Sequence, residues 1–304
     1  MTNRGGGAGR EGQTYDGTSR LVRYVNFVKL AHTVFALPFA LVGVVLASRI
    51  EPVTVSMVLW VVIAFTAARF AAMGFNRIAD RHYDARNPRT AMRELPSGVL
   101  SVPEAAASVA IAGMVFIFAA WRINPLCLML SPVALAWVLF YSYTKRFTRW
   151  AHMALGLGTG IAPAGGYLAV TGAWSSPWWL LPVLVFAVLT WIGGFDVLYA
   201  LPDAEFDRAQ GLHSVPATMG ISRALWVSRA MHVATVLSLA AAGVASHSGV
   251  LYFAGVAVAA CILLWEHSLV SDKDLSKLDA AFFSVNGILS VTFFLFVLAE
   301  RIFL

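Results

Sequence analysis

Two groups of polar and acidic side chains in this chain are spaced at intervals of four or seven residues. These intervals are close to one and two helical turns, so each group falls on one face of a helix. Each group runs on to a proline and then a glycine before the next apolar stretch. The groups are Asn76, Asp80 and Asp84, and, within GFDVLYALPDAEFDRAQGLHSVPATMG, Asp196, Asp203 and Asp207.

Facing carboxylates among arginines and lysines suit a magnesium-bound diphosphate. Mg²⁺ prefers oxygen ligands and is usually held by one or two carboxylates plus substrate phosphates, while bidentate arginine binds outer phosphate oxygens. Arg69 lies seven residues before Asn76, on the same face, and a charge inside an apolar segment usually lines a cavity. It is the only ionisable residue predicted to lie deep in such a segment. The histidines near the groups, His82 and His213, are expected to be exposed.

The alternative for each acidic group is a solvated loop whose carboxylates pair with neighbouring arginines. The matching positions of the two groups favour a functional site. A transporter is a second alternative, because related halves and intramembrane charge also occur in transporters. The charges here gather at the rim of the apolar segments, whereas transporter sites lie near the midplane.

The elements that position these residues are predicted to be transmembrane helices. Charged residues make up 12% of the 304 and the mean hydropathy is +0.73, whereas soluble domains carry about 25% charged residues. Lipid offers no partner to an unpaired backbone amide, so an all-α polytopic membrane protein follows. The nine predicted spans are roughly 25–48, 54–76, 103–121, 124–143, 151–172, 178–200, 223–245, 249–270 and 280–303.

Basic residues predict the orientation of the chain in the inner membrane. Sixteen lysines and arginines fall in the N-terminal tail and alternate loops, against three on the opposite side. The N-terminus is therefore expected in the cytoplasm and the C-terminus outside. The net charge of +6 is a topology signal, and no nucleic-acid partner is expected. Residues 1–20 are predicted to be a disordered cytoplasmic tail, and 21–304 the membrane domain with cytoplasmic loops 76–102 and 196–222.

The two long loops also predict an internal repeat, with two four-helix halves followed by a ninth helix. Asn87 precedes a proline and is expected to end the extension of the second helix. Pro202 is expected to kink or break the sixth helix between its aspartates. Ser101 and Glu104 form a predicted capping box at the start of the third.

These motifs resemble those of the UbiA superfamily of membrane prenyltransferases. The Asn76 group is followed by Asn-Pro-Arg-Thr-Ala and by Arg-Glu-Leu-Pro-Ser-Gly, and the Asp196 group by Gly-Leu-His-Ser, as in the family's two aspartate motifs. A Tyr-x-x-x-Lys signature lies between them in YSYTKRFT, from Tyr141 to Lys145. The three motifs cover most of the chain's organisation.

The resemblance implies nine helices around a central cavity and transfer of an isoprenoid chain from an allylic diphosphate to a ring. It implies that Mg²⁺ is the cofactor and that a polyprenyl diphosphate, an aromatic acid and membrane lipid are the partners, with no obligate protein partner. The implied catalytic residues are Asp80, Asp84, Asp203, Asp207 and Lys145. The implied metal ligands are Asn76, Asp80 and Asp84 for one ion and Asp196, Asp203 and Asp207 for a second, and the implied substrate-binding residues are Arg69, Asn76, Arg89, Arg93, Tyr141, Lys145 and Arg146.

The acceptor stays open at this point. Position 77 is Arg, where many members of the 4-hydroxybenzoate branch have Asp, and this variant is similar to bacterial quinone-pathway members. The two alternatives are 4-hydroxybenzoate, in ubiquinone or menaquinone biosynthesis, and 1,4-dihydroxy-6-naphthoate, in the futalosine route to menaquinone. Lys29, beside His32 in the first helix, either reaches the membrane interface or binds an acceptor carboxylate. Asn286 is expected to form an interhelical hydrogen bond.

Overall fold

The computed structural model of the chain describes residues 19–29, 33–272, 274–275, 278 and 285–303, and its regular structure within these ranges is helical. Most of the tail predicted at 1–20, and His32, lie outside the described residues. Two 3-10 helices, Tyr141–Arg146 and Leu201–Asp203, accompany the α-helices. The α-helices are α1 (Arg20–Phe27), α2 (Thr33–Ala47), α3 (Val55–Arg86), α4 (Val102–Ile123), α5 (Pro125–Phe140), α6 (Ala151–Thr171), α7 (Leu180–Tyr199), α8 (Ala204–Ala209), α9 (Val215–Met219), α10 (Ile221–Ala245), α11 (Val250–Ser268) and α12 (Asn286–Phe303).

Eight helical spans in the described part of the chain are long and apolar enough to cross a membrane: α3, α4, α5 with the 3-10 helix after it, α6, α7, α10, α11 and α12. The all-helical membrane fold is thus confirmed, whereas the count of nine spans is not. The segment predicted at 25–48 contains the end of α1 and all of α2. Helix α2 is apolar but shorter than the eight spans. At 15 residues α2 is about 22 Å long, which is less than the hydrocarbon thickness.

Helix α3 is long enough to carry the first acidic group out of the hydrocarbon region. Its 32 residues span about 48 Å, against a hydrocarbon core of about 30 Å. The helix ends at Arg86, and Asn87 follows in an extended conformation with φ −87° and ψ 117°. The predicted stop before Pro88 is confirmed.

Helix α7 ends before the second acidic group is complete. After Tyr199 the chain forms the 3-10 helix that contains Pro202 and then α8, so the predicted break is confirmed. The predicted capping box is also present, because Ser101 Oγ accepts from the Glu104 amide at 3.4 Å and Glu104 Oε2 accepts from the Ser101 amide at 2.9 Å.

Helices α2, α6 and α7 lie at the centre of the bundle, and α7 is the most deeply buried of the spans. Small residues allow α2 and α6 to touch through their backbones. A Cβ atom added to Gly166 would lie 2.0 Å from the Ala40 carbonyl oxygen, and one added to Gly43 would lie 1.9 Å from that of Pro163. The glycines therefore fix how closely these helices approach.

A buried polar network joins α7, α11 and α12 within the bundle. The Trp191 indole N–H donates to Asn286 Oδ1 at 2.7 Å, and Asn286 Nδ2 donates to Glu266 Oε1 at 2.9 Å. Glu266 and Asn286 are both 0% exposed. The interhelical role predicted for Asn286 is confirmed. The prediction that Arg69 is the only ionisable residue deep in a segment is wrong, because His232, near the middle of α10, is 2% exposed.

Candidate active site

Two adjoining cavities lie inside the helix bundle. A polar cavity of about 260 Å³ is lined by the second half of α3, the first 3-10 helix, the start of α6 and the chain from the end of α7 to Ser214. An apolar cavity of about 480 Å³ lies between α2 to α6, with α7 contributing at one side. The residues that line both cavities are Arg69, Met73, Tyr141, Leu155 and Thr159.

The apolar cavity reaches the lipid-facing surface of the bundle. Val133 and Leu130 of α5 line it, and they are 71% and 38% exposed. Both lie within the span formed by α5 and the 3-10 helix after it. The cavity therefore has an apolar side opening at membrane depth.

The first acidic group faces the polar cavity from α3, as its helical spacing predicts. Asn76 Nδ2 donates to Asp80 Oδ2 at 3.1 Å. Asp80 and Asp84 are only 3% and 6% exposed. Each pairs with a cation from another segment: Lys145 Nζ lies 2.9 Å from Asp80 Oδ2, and Arg93 Nη1 lies 2.7 Å from Asp84 Oδ1.

The second acidic group reaches the same cavity across the break after α7. Asp196 lies in the last turn of α7, Asp203 at the end of the 3-10 helix and Asp207 in α8, and all three line the cavity. The chain changes from α7 to the 3-10 helix and then to α8 between these residues, so the three aspartates line one cavity without a continuous helix. Burial raises the pKa of the Asp207 carboxyl above its ordinary value, and the nearby Lys145 ammonium partly opposes this shift.

The two acidic loops contact each other across the mouth of the polar cavity. Asn87 Oδ1 accepts from the Arg89 amide at 2.9 Å, a local turn that directs both side chains toward the second loop. Asn87 Nδ2 donates to Asp203 Oδ1 at 2.9 Å, and the Arg89 guanidinium forms a salt bridge with the same carboxylate. Arg86 Nη1 donates to Gln210 Oε1 at 3.1 Å. These contacts hold the loops together.

The other predicted site residues divide into two sets. Arg69, Arg89, Arg93, Tyr141 and Lys145 line the polar cavity. Arg146 does not: its Nη2 donates to the Ala79 carbonyl at 2.8 Å and lies 3.8 Å from Asp80 Oδ1, so it contacts the Asp80 region from outside the lining.

Two further cations line the polar cavity. Arg77 is 4% exposed, so the guanidinium at the position next to Asn76 is buried at the site. Lys29, which was predicted to lie within the first helix, instead lies two residues after the end of α1 in a left-handed conformation with φ 45°, so this prediction is wrong. Non-glycine residues in this conformation often lie at functional sites.

The acidic groups fit a hard cation that is also bound by substrate oxygens. Asp80 Oδ1 and Asp84 Oδ2 are buried and accept no hydrogen bond from the described residues. Within that part of the chain, no three His, Cys, Asp or Glu side chains converge closely enough to hold a metal by themselves. A metal here would therefore need further ligands, which for Mg²⁺ are typically water and phosphate.

Comparison with known proteins identifies the family of this chain. The model of the UbiA prenyltransferase family matches residues 36–296. The chain belongs to this family. A UbiA homolog from Aeropyrum pernix K1 has the same fold, with a TM-score of 0.77 and 32% identity over 89% of this chain and 97% of that one.

Two further proteins of this family are similar to the chain. The chain is 31% identical to the 4-hydroxybenzoate octaprenyltransferase of Methylobacillus flagellatus over 81% of its own length and 82% of that protein. A UbiA homolog from Archaeoglobus fulgidus, whose structure contains DMAPP and Mg²⁺, shares the fold with a TM-score of 0.70 and 19% identity, over 93% of this chain and all of that one. This chain is thus a multi-pass membrane prenyltransferase.

His152 lines the polar cavity at the start of α6 and is not among the site residues predicted from the sequence. It is 4% exposed, and its Nδ1 lies 2.7 Å from Asp196 Oδ2. The only signal in the sequence is a lone histidine in the apolar stretch AHMALG, seven residues after Lys145. His82 and His213, the two histidines that were considered, are exposed as expected.

Proposed function

We propose that this prenyltransferase transfers a polyprenyl chain from an allylic diphosphate to an aromatic acid of the 4-hydroxybenzoate type, in ubiquinone or menaquinone biosynthesis, and releases diphosphate. The observation that carries the proposal is the junction of the two cavities. The charges of the polar cavity suit a diphosphate, and the adjoining apolar cavity suits an isoprenoid chain. The relatives that are 4-hydroxybenzoate octaprenyltransferases support both the acceptor and a long donor.

Mg²⁺ is the cofactor in this proposal. Asn76, Asp80 and Asp84 would hold one ion, and a second would bind to Asp196, Asp203 and Asp207. Bound there, the metal supplies Lewis-acid stabilisation of the charge that develops on the leaving diphosphate. The support consists of the two carboxylate oxygens without hydrogen bonds and the Archaeoglobus fulgidus homolog bound to DMAPP and Mg²⁺.

The basic side chains of the polar cavity bind and stabilise the leaving group. Lys145 lies beside Asp80 and donates to diphosphate oxygens near the breaking bond. Arg89 and Arg93, held by Asp203 and Asp84, donate to the outer oxygens. Because these cations are already fixed by ion pairs, little reorganisation is needed as negative charge develops.

The reacting carbon is placed at the junction of the cavities, beside Arg69 and Tyr141. The bond between the allylic carbon and the diphosphate oxygen breaks, and its electron pair leaves with the diphosphate. A π-electron pair of the ring forms the new carbon–carbon bond, and the same ring carbon then loses its proton to the released diphosphate, which restores the aromatic ring. The Tyr141 face stabilises the allylic cation, and the apolar walls exclude the water that would hydrolyse it.

The acceptor's carboxylate requires a cation that the diphosphate does not use. Arg69 lies at the junction and Lys29 at the wall of the polar cavity, and we assign this role to one of these two side chains. Parallel assays of the purified chain with 4-hydroxybenzoate and with 1,4-dihydroxy-6-naphthoate, each with a polyprenyl diphosphate and Mg²⁺, identify the acceptor by mass spectrometry of the product.

The proposed function is tested by removing one carboxylate from each acidic group. We expect Asp80→Ala and Asp203→Ala each to abolish product formation and diphosphate release, while Asp272→Ala, at an exposed position outside the cavity, leaves both at the wild-type rate. Full activity of both cavity variants would refute the metal assignment. Accumulation of an aromatic acid in vesicles without chemical change, insensitive to a chelator, would identify a transporter instead.

We also propose that residues 21–304 form one prenyltransferase domain whose polar cavity opens to the cytoplasm. The excess of lysine and arginine in the acidic loops supports this orientation. It puts the N-terminus in the cytoplasm and the C-terminus outside the inner membrane, which requires the short apolar helix α2 to cross the bilayer together with the eight longer spans. Alkaline phosphatase fused to the C-terminus is then expected to be active. If it is inactive, and a reporter that works only in the cytoplasm is active at the same position, the C-terminus lies in the cytoplasm and the proposed orientation is wrong.

A further inference from the structure

His152 joins two segments of the second acidic loop that are separated in sequence. It is the second residue of α6 and is 4% exposed. Its Nδ1 lies 2.7 Å from Asp196 Oδ2, and its Nε2 lies 3.2 Å from the backbone nitrogen of Val215. The imidazole thus bridges the end of α7 and the start of α9.

The second of these bonds fixes the direction of the first. A backbone N–H can only donate, so Nε2 is the acceptor from Val215 and carries no proton. The ring proton then lies on Nδ1 and is donated to Asp196 Oδ2. One oxygen of the Asp196 carboxylate is thereby held by the imidazole, and the carboxylate is oriented at the wall of the polar cavity.

The segment from Leu212 to Val215 is held at both ends and in its middle. The Leu212 amide donates to the Asp207 carbonyl at 2.8 Å, and the His213 amide donates to the Lys145 carbonyl at 2.6 Å. The bond from Val215 to His152 completes this set, so that the segment connects the backbone of Lys145 with both outer aspartates of the second group.

We propose that His152 is a positioning residue that holds Asp196 and the segment 212–215 in the arrangement that binds the diphosphate and its metal. This role deepens the proposed function and rests on it. The imidazole does not touch the substrate in this assignment. It acts through Asp196 by fixing which carboxylate oxygen faces the cavity, and through Val215 by keeping Asp207 and Lys145 close together.

Three substitutions test the assignment in the full-length protein in detergent. His152→Leu removes both hydrogen bonds. His152→Gln keeps a donor and an acceptor, and therefore both bonds. Val215→Pro removes the bond to Nε2 and replaces the fully buried Val215 side chain with an apolar ring of similar volume. The backbone accommodates it because Val215 is the first residue of α9 and Ser214 is extended at φ −137° and ψ 161°. His82→Leu, on the exposed side of α3, is the matched control.

The readout is the stabilisation of the protein by Mg²⁺ with inorganic diphosphate, measured as the shift in Tm against metal concentration. We expect His152→Leu to raise the Mg²⁺ concentration for half the shift by about 10- to 100-fold, the range for residues that orient metal ligands. Val215→Pro should raise it by less, and His152→Gln and His82→Leu should behave like the wild-type protein. In prenyl transfer, kcat should fall in the same order.

A wild-type metal titration for His152→Leu would overturn the proposal. So would a His152→Gln variant as impaired as His152→Leu, since the two bonds would then not be the reason for the effect. If His152→Leu does not fold, the comparison of Val215→Pro with the wild-type chain decides, and an unchanged titration again overturns it. Absence of prenyl transfer by the wild-type chain to any acceptor would instead refute the proposed function, while the binding titration would still support the role of His152.

Discussion

Lys145 interacts with both acidic groups and, in the proposed function, also with the leaving diphosphate. Its ammonium lies 2.9 Å from Asp80 and contributes to the electrostatics of Asp207. It also lies at the end of the 3-10 helix that begins at Tyr141, so the aromatic residue and the cation at the junction are positioned by one element. A cation fixed in this way stabilises the departing charge more than the bound substrate.

We therefore expect Lys145→Met to lower kcat and kcat/KM together by about 10²- to 10³-fold, the cost of removing one fixed donor to a developing anion. The measurement is steady-state diphosphate release, with Arg149→Met, four residues along at an exposed position, as the control. A rise in KM with unchanged kcat would assign Lys145 to ground-state binding only.

The site residues that could be predicted from the sequence are those whose partners in the site lie close to them along the chain. Asn76, Asp80 and Asp84 lie on one helix, so their spacing alone placed them on one face. The group around Asp203 was found by its residue types, and a 3-10 helix brings it to the same cavity. His152 could not be found in this way, because its partners are 44 and 63 residues away and its role depends on tertiary contacts.

At the scale of elements, the approach of α2 and α6 is set by glycines. Gly166 has no space for a side chain, since a Cβ atom would lie 2.0 Å from the Ala40 carbonyl oxygen, whereas a Cβ atom on the adjacent Gly165 would have nothing within 4 Å. Both positions are glycines in α6. They differ in whether another backbone lies against them.

Gly166→Ala is expected to lower the free energy of unfolding by about 1–3 kcal/mol or more, because the clash is with backbone and the helices must move apart. Gly165→Ala should leave stability unchanged or slightly raised. Thermal unfolding in detergent compares the two, and equal Tm values would show that α2 and α6 adjust without cost.

The network of Trp191, Asn286 and Glu266 joins α7, α11 and α12 by bonds that span up to 95 residues of sequence. Asn286→Leu leaves the Trp191 indole N–H and Glu266 Oε1 buried without these partners. We expect a loss of about 1–3 kcal/mol in stability, the usual cost of a buried polar group left unpaired.

The control for this substitution is Ile288→Leu, two residues along α12 at a position 46% exposed, which should not change Tm. A Tm for Asn286→Leu equal to that of the control would show that the network contributes no stability. The helix pattern alone predicted that Asn286 bonds to another helix. It did not predict that Glu266 is the partner, because the apolar sequence around Glu266 gives no sign of a polar contact.

At the scale of the whole molecule, the polar and apolar cavities are arranged in series along the bundle. Ala134 of α5 lines the apolar cavity, seven residues before Tyr141 and so about 10 Å from the junction along the helix. A single isoprene unit placed at the junction does not reach that depth, whereas a longer chain passes it. The position therefore separates short donors from long ones.

We expect Ala134→Trp to raise KM strongly for farnesyl and longer diphosphates and to leave dimethylallyl diphosphate almost unaffected. Competition between the two donors, measured by mass spectrometry of the products, gives the ratio of their kcat/KM values directly. Ala110→Trp, at an exposed position on α4, controls for the added indole. An equal effect on both donors would show that the isoprenoid chain of the donor binds elsewhere in the bundle.

The side opening at Val133 and Leu130 changes what limits the length of the donor. A closed pocket would measure the chain and reject those too long for it. Here the distal isoprene units can extend among the acyl chains, so the bilayer itself solvates whatever the protein does not hold. In the proposed reaction the protein therefore does not limit the length of the tail, and the product leaves sideways into the lipid without its tail entering water.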